Sequence, residues 1–200
     1  MTTIYIQALG NLLATYQSDL IYIRDFHRFK NGKLSKSDYF RKSKGNFKSF
    51  LAEYGVARNV DKTKVDILLK LTINWVTKNN PSNVDSFANQ LKSKNLTFGK
   101  LMTSLASKNL FLNDPWTILP LDGRVKRAVN LPYNTTYAQY LPLAVEFKKK
   151  NVIDIEKSLT SVRDHLTIIE AAFEKEINNL RTIRYNRFVD KILWTIGKND

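Results

Sequence analysis

An acidic residue, Asp122, stands directly ahead of a short basic run, Gly123, Arg124, Val125, Lys126 and Arg127. A carboxylate there repels the phosphates that the neighbouring cations attract, so its placement calls for either a structural or a chemical explanation. As structure, an aspartate at a helix start accepts the first amide hydrogens and contributes about 1 kcal/mol. As chemistry, a fixed and ionised carboxylate stabilises positive charge developing on a bound substrate. The two roles are compatible, because amides that hold a carboxylate in place also keep it ionised. Arg124, Lys126 and Arg127 are candidate phosphate contacts, since a helix N-terminus adds amide donors and a positive dipole to their charge.

A second basic stretch, residues 24–48, interleaves cations with Phe26, Phe29, Tyr39 and Phe40. Arg28, Lys30, Lys33, Arg41, Lys42 and Lys44 are its candidate nucleic-acid contacts. Cations can hold phosphates while aromatic rings stack on exposed bases. Equally, the rings can point into a core while the lysines solvate the opposite face. A third run, Lys148 to Lys150, suits the C-terminal end of a helix, where cations meet the negative pole of the dipole.

Lysine and arginine number 32 against 18 aspartates and glutamates, a formal net charge of +14. Such a field draws polyanions, with an affinity that falls as salt rises. Nucleic acid is the leading partner, although an anionic membrane or an acidic protein would satisfy the same field. The chain has no cysteine, which excludes disulfides, thiolate nucleophiles and cysteine-held metal centres. His27 and His165 are the only imidazoles and lie far apart in sequence, so neither a metal site nor any other cofactor is expected. The first residues lack a charged leader, and polar residues interrupt each apolar run before membrane-spanning length. A soluble, cytoplasmic protein without a membrane span is the expectation.

Apolar residues recur at spacings of three and four, which implies an all-α fold: a compact multi-helix array with two helical lobes and a cleft between them. Leu9, Leu12, Leu13, Tyr16, Leu20 and Ile23 mark the face of a first helix that Asn31 and Gly32 stop. After a basic connector, Phe47, Phe50, Leu51 and Tyr54 stripe a second, closed by Gly55. A third starts near Asp61 and ends at Asn79, Asn80 and Pro81. Val84, Phe87, Ala88 and Leu91 suit a short helix, and Thr97 is placed to cap the next, which carries Leu105, Leu110 and Phe111. An extended piece over 117–121 leads to Asp122 and a helix over 123–130. Another helix carries Pro142 in its first turn, and 153–196 holds two or three more with a joint at Asn178 and Asn179. The chain reads as a single domain over 1–200, with lobes formed by 60–150 and by 1–59 together with 151–200.

The segment Pro120-Leu121-Asp122-Gly123-Arg124-Val125 resembles the Pro-Val-Asp-x-x-Val pattern of helix-hairpin-helix DNA glycosylases, in particular the 8-oxoguanine branch, over residues 96–131. The resemblance implies that Asp122 is the essential carboxylate, that Gly99 lies in a DNA-gripping hairpin, and that Lys100 or Lys108 is the nucleophilic lysine of a bifunctional enzyme. The absence of cysteine points to branches without an iron-sulfur cluster. A flipped base then leaves through an oxocarbenium-like state that the carboxylate stabilises, while an amine attacks the sugar carbon. The expectation is a DNA-binding protein of base-excision glycosylase type with lyase chemistry. The alternatives are a nonenzymatic nucleic-acid-binding module and a helical module that binds an acidic protein.

Overall fold

A computed structural model describes residues 2–41, 44–78 and 82–199. Among them the fold is all-α, with eleven α-helices and two short 3-10 turns. The chain divides into two compact units, one of Met1–Leu20 with Leu121–Asp200 and the other of Ile21–Pro120. Helix α1 (Thr3–Lys30) is unbroken across the first boundary, so its apolar stripe serves a different core in each half.

In the first unit, Leu9, Leu12 and Tyr16 of α1 are buried with Tyr140, Ile155, Leu166, Phe188, Ile192 and Leu193. This unit also contains α7 (Gly123–Ala128), α8 (Tyr137–Lys150), α9 (Val152–Ser161), α10 (Arg163–Ala171) and α11 (Leu180–Asn199). Helix α8 starts on a full capping box: Thr136 Oγ1 accepts from the Gln139 amide, and Gln139 accepts from the Thr136 amide. Pro142 therefore lies in the second turn, one turn deeper than expected, because the capping box sets the helix start at Tyr137. Asn179, in the left-handed region at φ 51°, accepts from the Thr182 amide and opens α11.

Polar contacts also tie α11 into this core. The Tyr16 hydroxyl donates to Glu170 at 2.7 Å, and Arg184 donates to the same carboxylate at 3.2 Å. Burial and the Glu170 charge push the Tyr16 hydroxyl far above the ordinary phenol range. Arg187, 3% exposed, donates to Asp19 at 2.7 Å and to Asp190 at 2.8 Å. Two carboxylates on one buried guanidinium satisfy its fork and leave no bare charge on that side.

The second unit holds the end of α1 and helices α2 (Lys36–Arg41), α3 (Phe47–Glu53), α4 (Val65–Val76), α5 (Val84–Ser93) and α6 (Thr103–Phe111). Phe26, Tyr39, Phe47, Phe50, Leu68, Phe87, Leu105, Leu110 and Phe111 are buried there. The basic connector contains α2, whose Tyr39 is buried and stacks on Phe29 with ring centroids 4.9 Å apart. Asp61 caps a 3-10 turn, Lys62–Lys64, that leads straight into α4. The expected stop at Asn79, Asn80 and Pro81 lies outside the described residues. No helix among the described residues is long and apolar enough to cross a membrane.

Candidate nucleic-acid interface

Helices α5 and α6 of the second unit pack against each other as a helical hairpin. Helix α5 ends on Asn95 at φ 50°, with the Leu96 amide donating back to the Leu91 carbonyl. A tight turn follows in which the Lys100 amide donates to the Thr97 carbonyl, and Phe98 and Gly99 take φ 52° and 72°. Thr97 therefore does not cap α6: its hydroxyl donates to the Lys100 carbonyl within the turn, and the helix begins only at Thr103. Left-handed backbone at two successive residues cannot continue into a helix. Phe98, 59% exposed, stands at the tip beside Gly99.

The two candidate lysines have opposite settings. Lys100 is exposed at the end of the turn. Lys108 on α6 is 7% exposed, and its ammonium donates to the Tyr54 carbonyl at 2.9 Å. Tyr54 is the C-terminal cap of α3, so the lysine meets the negative end of a helix dipole.

In the basic stretch, burial separates the rings from the charges. Phe26 and Tyr39 are core residues, which removes them as base-stacking surfaces. Lys30 turns inward, donating to Asn113 Oδ1 at 2.6 Å, and burial holds its ammonium below the ordinary lysine range. Lys33, Arg41 and Lys44 are exposed, and Arg28 is half-buried. Lys42 lies outside the described residues. His27 contacts the Asn113 carbonyl through Nε2 at 3.1 Å, with burial and the Lys30 charge lowering its pKa, whereas His165 is exposed. Among the described residues, no three histidine, aspartate or glutamate side chains form a group that could hold a metal.

In the first unit, Asp122 is extended and caps α7: its Oδ1 accepts from the Arg124 and Val125 amides, each at 3.0 Å. The helix is two residues shorter than expected, because Asn130 at φ 55° closes it with the Leu131 amide bonded to the Lys126 carbonyl. Its cations have internal partners. Arg127 donates through Nε and Nη2 to the Gly197 carbonyl at 3.0 and 2.7 Å, and Arg124 lies over the Trp194 ring at 4.1 Å. Lys126 donates to the Tyr133 carbonyl at 2.6 Å, and burial lowers its pKa. The α7 basic group thus binds α11 and the following loop.

A cationic groove of the same unit escaped the sequence reading. It has two adjoining parts, of about 640 and 290 Å³, which share Glu156, Arg181 and Tyr185. Lys148, which lines the larger part, donates to Asn186 Oδ1 at 2.8 Å and lies 4.9 Å from the Tyr185 ring centre. A signal was present: residues 145, 148 and 149 of α8 and 152, 156, 159 and 160 of α9 follow helical spacing, with Arg163 opening α10. No sequence pattern revealed that these residues meet Arg181, Arg184 and Tyr185 of α11.

No family model matches this chain, and neither does any curated protein or solved structure.

Proposed function

We propose that this protein binds DNA and acts on it as a helix-hairpin-helix base-excision glycosylase does, with Lys108 as the attacking amine. The burial of Lys108 on the second helix of the hairpin is the observation that carries this reading. A lysine is rarely buried to 7% exposure. An unprotonated lysine amine is a nucleophile, and burial is one of the factors that disfavour its charged form. Lys100, exposed at the end of the turn, lacks that burial, which favours Lys108 of the two candidates. In the reaction the base leaves with the glycosidic electron pair, and the amine adds to the sugar carbon to give an imine after ring opening.

The test is borohydride trapping on oligonucleotides bearing 8-oxoguanine, uracil or an abasic site. A covalent adduct that Lys108→Gln abolishes and Lys100→Gln keeps is the expected result. An adduct that survives Lys108→Gln sinks the assignment of the amine. Base release without an adduct reassigns the chemistry to a monofunctional glycosylase.

A nonenzymatic nucleic-acid-binding role is the second reading, favoured by Asp122 serving as a helix cap. Under it the +14 charge binds DNA or RNA without turnover. Oligonucleotide affinity that falls steeply between 50 and 200 mM salt, on the order of 10³-fold for six or more phosphate contacts, with no base release from any lesion, would select it.

A further inference from the structure

We propose that the groove lined by α8, α9, the start of α10 and α11 is a binding site for a nucleoside phosphate unit, either free or as one residue of a single strand. The proposal rests on the nucleic-acid part of the reading above and is independent of any glycosylase chemistry. Its smaller part is lined by Arg163, Arg181 and Arg184, three guanidinium forks around about 290 Å³. Guanidinium groups match phosphate oxygens with paired parallel hydrogen bonds. The larger part, about 640 Å³, is lined by Val145, Val152 and Tyr185 together with Lys148 and Lys149. Both volumes fit within or near the range of small-ligand sites, roughly 300–1,000 Å³.

Charge and unmet hydrogen bonding point the same way. Across the two parts, five cations face one carboxylate, Glu156. Glu156 is paired with Arg181 at 3.3 Å, and both are well exposed. Exposed pairs of that kind contribute little to stability, so an incoming phosphate displaces the carboxylate at little cost. Arg184 is held by Glu170 through Nη1, while its buried Nε has no hydrogen-bond partner among the described residues. The Tyr185 side chain is 8% exposed, yet its hydroxyl also has no partner among them. Buried donors without acceptors are rare in folded proteins, and two line the same groove.

The combination of a phosphate cradle and a short apolar shelf suits a nucleotide better than a docked acidic helix. An amphipathic helix needs apolar anchors on successive turns. The larger part offers two valines and one tyrosine edge. A nucleotide needs only one apolar surface for its base and one cationic cluster for its phosphate. A single strand can present both within one residue, whereas a duplex keeps its bases stacked away from the backbone.

The experiment compares the wild-type full chain with Arg163→Gln/Arg181→Gln and with Val152→Glu, all at exposed positions, after circular dichroism melts confirm folding. Fluorescence anisotropy is read with a labelled 12-nucleotide single strand and a 12-base-pair duplex, and adenosine 5′-monophosphate and a glutamate-rich peptide serve as competitors. The expected result is a loss on the order of tenfold in single-strand affinity for each variant, with a smaller loss for the duplex. Competition by the mononucleotide identifies a site that takes the free unit, and its absence restricts the site to the strand. Wild-type affinity retained by both variants overturns the groove while leaving nucleic-acid binding standing. Failure of the wild type to bind either oligonucleotide or the mononucleotide at low salt overturns both. Binding of the glutamate-rich peptide that both variants lose, with oligonucleotide affinity unchanged, assigns the groove to an acidic protein and overturns the proposal.

Discussion

Gly197 on α11 lies so close to the Arg124 carbonyl oxygen on α7 that a Cβ at Gly197 would overlap it. Glycine here is required by the close approach of two helices, since the residue sits within α11 at an ordinary helical conformation. The Gly197 carbonyl, in turn, accepts two hydrogen bonds from Arg127. One glycine thus brings the backbones of α7 and α11 together at the helix that Asp122 caps.

Gly197→Ala is accordingly expected to be destabilising despite the higher helix propensity of alanine. Relief of the overlap requires α7 to shift, at a cost of about 1–3 kcal/mol. Chemical denaturation compares it with Gly10→Ala on α1, where a Cβ meets nothing within 4 Å and a small stabilisation is expected. Equal stability of the two variants would contradict the close approach.

Removal of the Arg187 guanidinium leaves Asp19 and Asp190 as buried carboxylates facing a cavity. Arg187→Met should therefore lose about 3–5 kcal/mol, far more than the loss of an exposed arginine such as Arg181. Urea denaturation at pH 7 reads the difference.

His27 should make the fold sensitive to mild acid. Its folded pKa lies below the ordinary 6.5, with burial the largest cause, then Lys30, opposed by the Asn113 and Leu112 carbonyls and by Asp114. In the unfolded chain the imidazole takes up a proton near that value, while the folded chain resists it. The stability contribution is therefore complete above the unfolded pKa and lost as pH falls from there toward the folded value. Thermal melts from pH 7.5 to 5 should show wild type losing stability relative to His27→Gln over that window; parallel curves would refute the assignment.

Asp122 can be divided into its two roles by a pair of substitutions. Asp122→Asn keeps an acceptor for the Arg124 and Val125 amides and should hold stability within about 0.5 kcal/mol, while Asp122→Ala should lose about 1 kcal/mol. Under the glycosylase reading, Asp122→Asn abolishes base release with binding unchanged. Base release that survives in Asp122→Asn at the wild-type rate would leave the residue a cap and nothing more.

Local signals were legible wherever the physics is local. The cap at Asp122, the left-handed close near Gly55 and the joint at Asn178 and Asn179 all depend on a few neighbouring residues. The start of α6 was misplaced because Thr97 has a cap-forming side chain, but the backbone at Phe98 and Gly99 turns left-handed. Lys30, Lys126 and Arg127 were read as phosphate contacts because a sequence shows charge but not the carbonyl or amide opposite it.

The order of residues alone determined an all-helical chain with a strong positive field, since helical periodicity and net charge are properties of the string. Tertiary structure decided which cations are available to a partner. It buried Lys108, turned Lys30 and Arg127 toward backbone and side-chain oxygens, and assembled Arg163, Arg181 and Arg184 around one groove. Those outcomes depend on contacts between helices distant in sequence, where burial sets the cost of a charge and the arriving neighbour supplies or withholds its partner.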